Sequence, residues 1–145
     1  MSEPRGRLRN AKSFQMPEML QRQIEKVVAY REEGDELDSI EIIGFKMSDT
    51  DHWHRFFLDA GIGFWEELPV EDVFRDFEDL QRINVGGQWP VTGNIIAAHC
   101  IGDANSPSRF EWRFDTGLLC LSYKDESDPD SESATLLSFK EEPTA

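Results

Sequence analysis

Apolar and polar positions alternate along most of this chain, but in two stretches the spacing changes to three and four. Leu20, Ile24, Val27 and Val28 recur at helical spacing behind Pro17, a residue suited to the first turn of a helix. This predicts a helix over 17–33, stopped by Gly34. Val70, Val73, Phe74, Phe77 and Leu80 repeat the pattern behind Pro69. They predict a second helix over 69–83, ended by Gly86 and Gly87.

The remaining segments read as strands. Residues 39–47 are rich in β-branched side chains. A hairpin is expected from 53–58 and 62–68 around Asp59-Ala60-Gly61. A two-residue turn places Ala60 at positive φ, which its Cβ resists, so a three-residue loop with Gly61 left-handed is expected. That register pairs Leu58 with Ile62 and Phe56 with Phe64, sets His54 against Glu66, and sets Trp65 against Arg55 on the outer side. A strand over 91–101 follows, then a second hairpin, 109–115 and 118–124, around Asp115-Thr116-Gly117. Phe110, Trp112 and Phe114 alternate there with Glu111, Arg113 and Asp115. Residues 135–140 suit a last edge strand.

The order reads α-β-β-β twice, an α+β fold with two helices on one side of a mostly antiparallel sheet of six or seven strands. The two Asp-x-Gly turns align His54, Phe56 and Leu58 with Phe110, Trp112 and Phe114. An internal duplication of 15–68 and 69–124 accounts for this, as does the ordinary frequency of such turns in hairpins. Residues 1–14, with Arg5, Arg7, Arg9 and Lys12, read as a flexible basic arm before a single domain, 15–145, and 125–133 as an acidic loop.

Composition supports a packed core. Of 145 residues, 39% are hydrophobic and 11% aromatic, too apolar for disorder despite a net charge of −14. Cys100 and Cys120 read as reduced core residues, with a disulfide between them left open. No apolar run approaches the roughly 20 residues of a membrane span, and no apolar stretch backs the basic N-terminus as a secretion signal. A cytoplasmic location is expected. The charge is uneven: +4 over 1–31, −13 over 32–80, +1 over 81–124 and −6 over 125–145. Such a surface repels nucleic acid and anionic membranes and attracts basic proteins.

Candidate chemistry is sparse. His52 and His54 share a face of their strand, and with Asp49 or Asp51, and His99 if the sheet brings it near, they form a candidate metal set. No nucleophile elbow is present, and His99 and Cys100 point to opposite faces. Gly86-Gly87 lacks the lysine and the spacing of a phosphate loop, so no cofactor is expected. The charge favours a small acidic interaction module for a basic partner, of the kind seen in inhibitors or toxin-immunity proteins. Its expected contacts are Glu66, Glu67, Glu71, Asp72, Asp76, Asp79 and Trp65. The alternatives are a metal-dependent enzyme centred on His52 and His54, or an accessory subunit of a larger assembly.

Overall fold

The computed structural model describes residues 6–31, 40–48, 52–59, 61–68, 80–91, 93–103, 105–123 and 135–141. Among these the chain is all-β, with eleven strands and two short 3-10 turns but no α-helix. The strands are β1 (Gly6–Ala11), β2 (Phe14–Gln15), β3 (Gln23–Arg31), β4 (Ile40–Met47), β5 (Trp53–Asp59) and β6 (Ile62–Leu68). They continue as β7 (Gln81–Asn84), β8 (Gly93–Asp103), β9 (Ser106–Phe114), β10 (Gly117–Tyr123) and β11 (Thr135–Glu141). The α+β expectation is therefore overturned. The first predicted helix is a 3-10 turn, Pro17–Met19, followed by β3. Of the second, residues 69–79 lie outside the described residues, and its predicted end, Gln81–Asn84, is strand β7.

The physical reason for the first error lies in β3. A bulge between Ile24 and Lys26 inserts a residue, so Ile24 and Val27, three apart, both enter the core. Beyond the bulge the strand is buried on both faces. Val27 and Ala29 join the main core, while Val28 and Tyr30 join a second cluster with Ile42 and Trp53 on the opposite face. A bulge plus two-sided burial reproduces helical spacing.

All pairings are antiparallel, in the order β1-β6-β5-β4-β3-β8-β9-β10-β11, with β2 added to β8 and β7 to β3. Strands β3–β6 form one meander and β8–β11 another; among the described residues the strand pairing between the two is that of Gln23 and Ile24 with Asn94 and Gly93. The strand leading into each meander crosses to the other: β2 pairs with β8, and β7 with β3. This topology sets β5–β6 against β10–β11, whereas the turn alignment sets β5–β6 against β9–β10. Residues 6–11, read as part of an arm, are an edge strand beside β6.

The two meanders close face to face over one aromatic core. Phe45 and Trp112 have ring centroids 4.8 Å apart, Phe56 and Trp112 5.1 Å, and Phe56 and Phe110 5.2 Å. The β5–β6 turn is tied to the opposite meander by the Gly61 N–H to Tyr123 Oη (2.9 Å) and the Ser108 N–H to the Gly61 carbonyl (3.0 Å). That turn is tighter than expected. Asp59 pairs with Ile62, leaving 60–61 as the connection with Gly61 at φ +81°. The register moves by one residue, which turns Trp65 inward.

Candidate functional site

The sequence-derived site residues fall into three groups. His54 is buried, and its Nδ1 accepts the Trp65 Nε1–H at 3.0 Å. His52 lies at the entrance to β5, with its Nδ1 3.0 Å from Glu67 Oε2. His99 pairs across the sheet with Glu111, Nε2 to Oε1 3.0 Å, and Arg109 Nε donates to the other carboxylate oxygen at 2.8 Å. Asp49 and Asp51 lie outside the described residues. Among the described residues no group of three His, Cys, Asp or Glu side chains is placed to hold a metal ion.

The expected partner-binding set is divided. Trp65 is fully buried, stacked on Phe56 at 5.8 Å. Its inward turn removes the expected contact with Arg55, which instead donates Nε to Glu66 Oε1 at 2.7 Å. Glu66 is itself buried. Glu67 is half-buried beside His52. Glu71, Asp72, Asp76 and Asp79 lie outside the described residues.

Neither cysteine forms a disulfide. Burial pushes the Cys100 thiol up to about 11, against the opposing effect of hydrogen bonds from Ser108 and the Gly63 backbone. That thiol is a packing group, not a nucleophile. Among the described residues no helix is long and apolar enough to cross a membrane.

Charge separates along the chain in a way the fold makes visible. The described residues hold ten Asp/Glu and twelve Lys/Arg, a balance of +2; the remainder hold nineteen against three, or −16. The acid therefore belongs to the connections: 32–39 between β3 and β4, 49–51 between β4 and β5, 69–79 before β7, and 124–134 between β10 and β11. Two of these end side by side. Thr135, which follows the 124–134 connection, donates its hydroxyl to the carbonyl of Ile40, which follows 32–39. The segments 32–39 and 124–134, which precede Ile40 and Thr135 in the chain, hold five acids each.

A cleft of about 370 Å³ opens beside β3. It lies where β3 changes partners. Residues 23–24 pair with β8 and 28–31 with β7, so the edge at Glu25–Val27 has no strand alongside. The 3-10 turn Val85–Gly87 borders this gap, and Lys26, Arg82, Asn84, Gly86 and Gly87 line it with Glu25. Lys46 Nζ holds Glu25 at 2.7 Å, and this hydrogen bond and charge lower the Glu25 pKa. Lys26 and Arg82 form no hydrogen bond or ion pair with another described residue. Sequence reading missed this cleft, taking Gly86-Gly87 as a helix stop. The signal was not local, because the cleft exists only when β7 crosses to β3.

No protein-family model matches the chain, and no curated protein or solved structure shows significant similarity to it.

Proposed function

We propose that this protein is an interaction module that binds a basic protein partner through its acidic connections. One observation carries the reading: a β-scaffold near neutrality bears connections (32–39, 49–51, 69–79 and 124–134) with a balance of −15. Acid concentrated there draws a cationic protein on encounter and discriminates against anionic ones. In the described sheets, by contrast, several carboxylates are already matched: Glu25 by Lys46, Glu66 by Arg55, Glu111 by Arg109. Glu71, Asp72, Asp76 and Asp79 are the contact residues proposed, within the 69–79 connection. The finer label of inhibitor or immunity protein has no support in the fold or the comparisons, and the proposal stops at the basic partner.

The test is retention of a basic protein from native lysate on the tagged chain at low salt, followed by elution along a salt gradient. A single basic partner, released by moderate salt and lost when Glu71, Asp72, Asp76 and Asp79 are replaced together by Lys, is the expected result. Retention unchanged by that fourfold charge reversal would sink the reading. The urea midpoint of the variant reports separately whether the fold survived.

A further inference from the structure

The two crossovers of the sheet are topologically equivalent but are finished differently. On β8, the stretch 95–98 lies between the residues paired with β3 and those paired with β2. The turn before β3 fills that gap with backbone hydrogen bonds: Met16 N–H to the Ala98 carbonyl (3.1 Å) and Gln21 N–H to the Ile95 carbonyl (2.9 Å). Met16 and Met19 seal it from within, both fully buried. On β3, the corresponding gap at Glu25–Val27 faces the Val85–Gly87 turn. Among the described residues no backbone hydrogen bond joins the two. The first crossover is closed by the chain itself, and the second is left as the cleft of about 370 Å³.

The chemistry of the open crossover is cationic. Lys26 and Arg82 both line it, both are exposed, and neither forms a hydrogen bond or ion pair with another described residue. Glu25, the one carboxylate on the rim among the described residues, is held by Lys46 at 2.7 Å and also feels the charge of Lys26, so two cations face one largely engaged acid. Asn84 adds a carboxamide whose nitrogen lies against Gly87; a Cβ at Gly87 would come within 3.1 Å of it. Two glycines in succession, Gly86 and Gly87, leave the backbone bare along that wall. A point-charge ammonium, a forked guanidinium, an amide donor and uncovered backbone form a set suited to a phosphate group. The volume exceeds that of the anion alone and falls in the range of small-molecule sites.

We infer that the open crossover between β3 and β7 is a binding site for phosphate, held by Lys26 and Arg82 with Asn84 beside them. The group arrives either as the free ion or as the monoester of a small molecule. In a chain of net charge −14 a bulk electrostatic attraction for anions is absent, so binding depends on these local groups. The inference does not rest on the basic-partner reading, since it uses different residues and a ligand of opposite charge.

The experiment is titration of isotope-labelled full-length protein with inorganic phosphate and, separately, with glycerol 3-phosphate, followed by amide NMR. Saturable shifts at Gly86 and Gly87 are expected, weakening as salt is raised. Tighter binding of glycerol 3-phosphate than of phosphate would identify the monoester as the natural form, and equal binding the free ion. Lys26→Ala and Arg82→Ala should each weaken binding about tenfold, the loss of one charge-assisted contact. Because both side chains are exposed, the urea midpoint should not move. Three results would each overturn the inference: no saturable shift at Gly86 or Gly87 with either probe, undiminished binding in the double variant, or equal binding of acetate.

Discussion

Trp65 and His54 meet inside the core, where the indole N–H donates to Nδ1 of the imidazole across 3.0 Å. The rings lie 5.8 Å apart. Accepting at Nδ1 fixes His54 as the tautomer that carries its proton on Nε2. Trp112, equally buried, has no acceptor for its indole nitrogen among the described residues. Both tryptophans fill the same core, so Phe substitutions remove similar volume from each. Trp65→Phe also strands a buried acceptor, which adds about 1–3 kcal/mol. Urea unfolding of the two variants should therefore show Trp65→Phe as the more destabilised. Equal losses would mean that the bond to His54 adds nothing to stability.

Gly63 faces the opposite meander so closely that a Cβ there would come 2.5 Å from Cys100 Sγ and 2.9 Å from Phe110. Gly63→Ala should cost about 1–3 kcal/mol through overpacking. Adding Cys100→Ala removes the nearer obstacle, so the double variant should lose less than the sum of the two singles. A double-mutant cycle on urea midpoints measures that coupling, and strict additivity would place the clash elsewhere.

Glu111 links stability to acid. Burial raises its pKa, but the hydrogen bonds from Arg109 and His99 and the charge of Arg109 outweigh this, leaving it below its ordinary value of 4.5. A depressed folded value means stabilisation that is complete above 4.5 and is lost as pH falls through the folded pKa. Stability measured from pH 6 down to pH 3 should fall less steeply in Glu111→Gln than in the parent chain. Partial exposure of the pair keeps the effect small, under about 1 kcal/mol. Parallel curves would show that the Arg109 and His99 contacts do not favour the charged form.

The two cysteines should separate by reactivity. Cys100 is buried with its thiol pushed up to about 11, whereas Cys120, on the next strand but one, is half-buried and faces out between Leu119 and Leu121. Native alkylation with iodoacetamide at pH 8, read by peptide mass spectrometry, should modify Cys120 first and Cys100 only after denaturation. Equal labelling would show that the β8–β9 face opens in the native state.

Most strands were legible because alternation survives in them. The hairpins β5–β6 and β9–β10, strand β4 and the edge strand β11 follow from β-branched runs, period-two patterning and Asp-x-Gly turns. The failures trace to particular residues. Ile24 and Val27 mimic a helix because a bulge lies between them. Gln81–Asn84 joined a helical pattern because nothing in four residues announces that they will pair with β3. The one-residue slip at Gly61 turned Trp65 from a candidate contact into core. The cleft was illegible for a related reason: Lys26 and Arg82 become neighbours only through the β7 crossover.

The reciprocal crossovers also bear on how the molecule forms. Neither meander can complete its first strand alone, since β8 takes β2 from the other half and β3 takes β7. The pairing that joins them, Ile24 with Gly93, closes a loop of nearly half the chain. Long loop closure must precede the contacts that repay its entropy, which is the signature of high contact order and slow folding. The halves should accordingly refold in a single kinetic phase and fail as separate fragments. Two chains mixed in solution would also find the exchange of β2 or β7 between copies an available route to a swapped dimer.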